Sequence, residues 1–160
     1  MEVFLKLKHA NSKKQSKLES FPFESIDSVR AGIEGLLSFN FKYLDTEQGD
    51  KFSDLTNAQF SKIIEKLKWY SNENRQHWEN EKIGKSTVLA VYGDFPHPSD
   101  FHHPKHVPAG VRWARFRMEG DQRLVGFMIN KDDSDKTPFN TNVFYVVFLD
   151  NNHRFYKIKR

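Results

Sequence analysis

At 160 residues, with 38% hydrophobic and 29% charged side chains, the chain has the size of one domain and enough apolar mass to bury a core. Fifteen phenylalanines argue against a disordered chain, and the lack of cysteine excludes disulfides and thiol chemistry. Lys and Arg outnumber Asp and Glu by 25 to 21, a formal charge of +4 that permits an anionic partner without demanding one.

Val3, Leu5 and Leu7 alternate with Phe4, Lys6 and Lys8, the period of a strand over residues 3–8. Charges so early, with no apolar run behind them, predict no secretory leader, and no stretch is long enough to span a bilayer. A cytoplasmic protein with no membrane partner and no cofactor is the expectation. Asn11 to Lys17 is polar and basic and reads as a loop. From Glu24 the spacing of Ile26, Val29, Ile33, Leu36 and Leu37 is helical, with Asp27 placed to suit the helix dipole. Phe41, Tyr43 and Leu44 form a short strand before the turn Gln48-Gly49-Asp50. Thr56 and Gln59 have the spacing of a capping box, and Leu55 with Phe60 that of a hydrophobic staple. The helix that follows presents Phe60, Ile63, Ile64 and Leu67, runs on to Trp78, and stops at Gly84.

Period two returns over Thr87–Tyr92. Gly93 to Gly110 is a loop holding four of the six prolines. Val111–Met118 and Arg123–Ile129, joined by Glu119-Gly120-Asp121-Gln122, predict a hairpin. The charged loop Asn130 to Asn142 leads to Val143–Leu149, the most apolar strand and a central one, and Asp150-Asn151-Asn152 turns the chain into a last segment, His153–Lys157. The expected class is α+β over a single domain, residues 1–160: an N-terminal strand and two helices packed on a C-terminal antiparallel sheet.

Three constellations carry chemistry. In Val111–Met118 the odd positions place Trp113, Arg115 and Arg117 on one face. Guanidinium groups hold phosphates and an indole stacks on a base, so the face suits a nucleic acid. The competing reading is a solvated sheet face whose long side chains cover apolar neighbours. The second constellation is the tail, with His153, Arg154, Tyr156 and Lys157. RNA cleavage through its own 2′-hydroxyl needs a base, an acid and cations on the transition state; without a metal, His supplies the first two roles and Arg the third, while Tyr orients a base or relays a proton. An ordinary edge strand with Phe155 buried is the alternative. The third is the loop from His97 to His106. A zinc or iron site there matches no strong ligand spacing, but His102 and His106 remain candidates for substrate binding. Asp150 reads as the cap of the turn before His153.

The order of elements, with Trp113-Ala114-Arg115-Phe116-Arg117, Arg123-Leu124-Val125-Gly126-Phe127 and Asn152-His153-Arg154-Phe155-Tyr156, resembles the RelE/YoeB/HigB superfamily of bacterial toxins. Residues 39–54, 93–110 and 130–142 are additional to that pattern. The resemblance implies a toxin-type endoribonuclease, acting on RNA that includes ribosome-bound mRNA, and paired with a cognate antitoxin protein. Arg115 or Arg117 and Arg123 would hold the cleaved phosphate, His153 would be the acid or base, and Tyr156 its helper. The rival reading is a non-catalytic module that binds RNA or protein through the same basic face.

Overall fold

A computed structural model describes residues 32–157. The chain divides into two units, residues 1–34 and 35–160, and the fold set out here is that of the second. The strand at 3–8, the basic loop at 11–17 and most of the helix beginning near Glu24 lie outside the described residues.

Buried Leu37 leads into a three-residue strand, β1 (Ser38–Asn40). The strand expected at Phe41 to Leu44 thus comes earlier in the chain. Asn40 Oδ1 accepts from Lys42 N–H at 2.9 Å and Phe41 O accepts from Leu44 N–H at 3.1 Å, so residues 41–44 turn instead. Thr56 caps α1 (Asn57–Tyr70): its hydroxyl accepts Gln59 N–H at 3.2 Å while Gln59 Oε1 accepts Thr56 N–H at 2.9 Å. The helix ends at Tyr70 and does not continue to Trp78. Ser71 Oγ donates to Leu67 O at 2.9 Å, and Asn74 Oδ1 accepts from His77 N–H at 2.9 Å, which caps a separate helix, α2 (Arg75–Asn80). Gly84, expected to stop a helix, sits at φ 65° in the turn joining β2 (Lys82–Ile83) to β3 (Ser86–Thr87).

β4 (Leu89–Gly93), β5 (Arg112–Arg117), β6 (Arg123–Met128) and β7 (Val143–Asp150) pair antiparallel in succession. β1 adds in parallel to β7, completing a five-stranded sheet of order β1-β7-β6-β5-β4. The class is α+β, but the sheet is mixed. A tight turn forces its two strands antiparallel, whereas β1 and β7 are far apart in sequence and escape that constraint. β7 lies between β1 and β6, an interior position that suits its apolar run.

Alternation along the strands feeds two cores, one on each face. Ala114, Phe116, Leu124, Phe144 and Leu149 meet Ile63, Tyr70 and Trp78 from the helices. Tyr70 joins the two layers, since its hydroxyl donates to Arg117 O and its carbonyl accepts Trp78 Nε1–H at 2.7 Å. On the opposite face Trp113, Val125, Phe127, Tyr145 and Phe148 are covered by Phe101 and Val107 of the proline-rich loop and by Phe155 of the tail. Each large side chain fully buried this way contributes about 1.5–3 kcal/mol, so covering both faces outweighs leaving one solvated. Among the described residues no helix is long and apolar enough to cross a membrane.

Candidate functional site

Trp113, Arg115 and Arg117 do share a face of β5, but that face is a core and not a solvated platform. Trp113 is 1% exposed, with Phe95 edge-on at 4.8 Å and Phe155 at 5.6 Å, so its ring is not free to stack on a base. The proline-rich loop and the tail supply this cover. Only the end of the face carrying the arginines is polar. There the register sets Arg117 beside Arg123 and Arg123 beside Asp150, a row of charges across β5, β6 and β7.

At this end a tight crevice, too narrow as it stands to admit a water molecule, is lined by Tyr92, Arg115, Arg123, Asp150, His153 and Tyr156 over Val125 and Phe155. Arg115, 8% exposed, donates from Nη1 to Thr87 O at 2.9 Å and from Nε to the Tyr92 hydroxyl at 3.3 Å. Arg123, 7% exposed, donates from Nη1 to Gly120 O and Gln122 O, each at 2.7 Å. Its Nε–H is buried with no hydrogen-bond partner in the protein. A buried donor left unmade is costly.

The tail after β7 is a series of turns, not the final strand expected. Asp150 is wholly buried, and its carboxylate captures Asn152 N–H at 3.2 Å and Phe155 N–H at 2.9 Å. A buried carboxylate needs such donors, and meeting that need bends the backbone out of any ladder. His153, between the two captured amides, is held at φ 54°, a left-handed conformation that a side chain other than glycine seldom adopts. Beyond it, Asp100 N–H donates to Arg154 O at 3.1 Å and Lys157 N–H to Pro98 O at 2.9 Å, which fastens the tail to the proline-rich loop.

Burial lowers the His153 pKa below the ordinary imidazole value, and the positive charges of Arg123 and Arg115 add to this against the opposing pull of Asp150. Its imidazole is therefore neutral near pH 7 and able to accept a proton. Burial, then Arg115 and Arg117, also lower the pKa of Arg123, which stays a cation all the same.

The other candidates named from the sequence have separate engagements. The Arg117 guanidinium donates to Ile83 O at 3.3 Å and does not line the crevice. Arg154 pairs through Nη2 with Asp50 at 3.1 Å and through Nε with the buried Asp150 at 3.7 Å, and lies over the Phe101 ring, while Lys157 pairs with Asp100. His102 is tied through its backbone to Gln48 at 2.8 and 3.1 Å, and His106 Nε2 meets Tyr43 O at 3.0 Å. The His103 ring, with Nδ1 3.0 Å from Pro104 O, and the His106 ring thus go to different partners. Among the described residues no group of three or more His, Asp or Glu is placed to hold a metal ion. Arg115, Arg123, His153 and Tyr156 do come together. Tyr92 joins them unforeseen, since a tyrosine closing a strand carries no mark of what its ring will face.

No family model, curated protein or solved structure matches this chain.

Proposed function

We propose that the crevice, when its side chains part, binds a phosphodiester and that the protein cleaves RNA there by acid–base chemistry, in the manner of the RelE-type toxins that its strands resemble. The observation that carries this reading is the unsatisfied, buried Nε–H of Arg123 in the same crevice as a neutral imidazole, His153. Arg115 and Arg123 hold the phosphate and stabilise its added negative charge. His153 takes the proton of the adjacent 2′-hydroxyl, whose oxygen then bonds to phosphorus. The bond from phosphorus to the 5′-oxygen breaks, and that oxygen leaves with a proton from the Tyr156 hydroxyl or a water. The products are a 2′,3′-cyclic phosphate and a free 5′-hydroxyl. RNA as substrate, ribosome-bound mRNA included, a cognate antitoxin and a cytoplasmic setting belong to the same proposal.

A second reading, RNA binding without cleavage, is favoured by the carbonyl contacts that already occupy Nη1 of both Arg115 and Arg123. Guanidinium groups tied in this way are better fixed as a docking surface than as groups that follow a reacting phosphate. That reading predicts salt-sensitive binding and intact RNA.

Expression from a tightly controlled promoter in bacteria separates the two, with growth and RNA integrity followed beside His153→Ala and Arg123→Met. Growth arrest with RNA ending in cyclic phosphate is expected for the unaltered chain, and its loss in both variants while circular dichroism shows them folded. Removing a positioned general base costs roughly 10²–10⁴-fold in rate. Undiminished toxicity in the variants removes the assigned site, and normal growth with intact RNA for the parent chain leaves binding alone.

The pH profile is a separate check. Because the folded-state value of His153 lies below the ordinary one, the base stays neutral until the pH falls through that lowered value. Cleavage should therefore lose activity on the acid side only below about pH 6.5, the ordinary imidazole value. An acid limb at or above that value contradicts the assignment of His153 as base.

A further inference from the structure

The end of the β5–β6 hairpin away from the crevice carries a concave surface of its own. A cavity of about 340 Å³ lies where β5 begins and β6 ends. That volume falls within the range of small-ligand sites. Its floor is apolar and fixed. Val111, Met128 and Ile129 are buried, and the Phe139 ring stands edge-on to Phe127 and Tyr145 at 5.6 and 5.1 Å. Part of the wall is a 3₁₀ helix, Lys131–Lys136, closed by Asp133 N–H donating to Asn130 O at 3.1 Å and Ser134 Oγ to Lys131 O at 2.8 Å.

Arg112 gives the cavity its charge. The strand register sets it directly across from Met128, and both belong to the lining. Every other described arginine has a carbonyl or a carboxylate partner. The half-buried Arg112 side chain has none among the described residues, and its Nε–H is enclosed by protein. Its terminal nitrogens are therefore the donors left to meet a ligand. Lys136 and Asp133, the other charged residues of the lining, face each other at 3.8 Å and offset one another. What remains is a single positive charge beside an apolar floor. A sugar or a polyphosphate would lose its hydration there without replacement. A monoanion with an apolar body would not, and a guanidinium receives a planar carboxylate through parallel N–H donors. We infer that this cavity binds a small monocarboxylate with an aromatic or short aliphatic body, its carboxylate on Arg112 and its body over Val111, Met128 and Ile129. The site is separate from the crevice and does not depend on how the crevice is read.

The test uses the full chain at neutral pH, titrated in a calorimeter with phenylacetate, indoleacetate and hexanoate. Phenylacetamide, which keeps the ring without the charge, and acetate, which keeps the charge without the body, are the comparisons. The best of the carboxylate probes should bind about tenfold or more tightly than either, the scale of a hydrogen bond to a charged group. Backbone amide NMR shifts on binding should fall at Val111, Ile129 and Phe139, and not at Tyr92 or Tyr156. Arg112→Met, which keeps the aliphatic stem and removes the cation, should reduce that probe to the level of phenylacetamide. Ala109→Trp, at an exposed position of the lining, should obstruct the cavity and weaken charged and neutral probes alike. Circular dichroism checks that both variants are folded. If no carboxylate probe exceeds phenylacetamide and acetate, or if the shifts fall elsewhere, the site is refuted. Both of those outcomes are read on the parent chain and hold whether or not a variant folds. Unchanged affinity in a folded Arg112→Met also overturns it.

Discussion

Trp113→Ala is expected to lower the unfolding free energy by about 3–5 kcal/mol, the cost of emptying a large buried aromatic site that cannot fully collapse. Trp113 is 1% exposed and packs against three separate parts of the structure: Phe95 and His103 of the proline-rich loop, Phe148 of β7 and Phe155 of the tail. Loss of the indole removes the surface on which loop and tail both rest, and these are the segments that hold Tyr156 and His153. Urea denaturation followed by circular dichroism measures the effect as a fall in midpoint at nearly constant slope. Trp113→Phe, which refills part of the volume, should lose distinctly less. Were Trp113 an open stacking residue, alanine would change stability by no more than about 0.5 kcal/mol, as at ordinary surface positions. Such a result would refute the buried placement.

Gly126→Ala is the other substitution with a large expected effect. A Cβ at this position would lie 2.1 Å from Tyr145 O and 2.8 Å from Phe144 Cε1. Neither neighbour has room to yield. Tyr145 is part of the β7 ladder, and Phe144 is fully buried between Phe39 and Phe116 at 5.9 and 5.0 Å. The register is broken at this point: Val125 faces Phe148 and Gly126 faces Val146, so Val147 has no partner on β6. Overpacking ordinarily costs about 1–3 kcal/mol, and a clash with ladder backbone belongs at or beyond the top of that range. The variant should therefore accumulate poorly or unfold at much lower urea. Stability equal to that of the parent chain would mean that β6 and β7 pair without this break in register.

What could be read before folding was local. The β5–β6 hairpin follows from alternation on either side of a turn that closes on itself, with Gln122 N–H donating to Glu119 O at 2.9 Å and Gly120 at φ 54°. The capping box at Thr56 and Gln59 needs only residues three apart. Alternation also set the parity of Arg115 and Arg117, yet it could not tell a solvated face from a covered one, because the cover comes from residues 93–110 and the tail. The prolines that make that loop irregular also erase the periodicity from which its packing would be inferred. His153–Lys157 has the composition of a strand, but a single buried carboxylate, Asp150, takes the amides that a ladder would have used. The break in the long helix was of the same kind, decided by side-chain oxygens of Ser71 and Asn74 competing for backbone.

By itself, then, the sequence determined the α+β class, the hairpin, the helix start at Thr56 and the list of residues with useful chemistry. Tertiary structure decided which of those residues meet. It buried Trp113, sent Arg154, Lys157, His102 and His106 to partners of their own, and gathered Arg115, Arg123, His153 and Tyr156 around a tyrosine from β4. Periodicity and capping arise from neighbours a few residues apart, whereas burial and charge pairing arise where distant segments touch, and only the folded chain specifies those contacts.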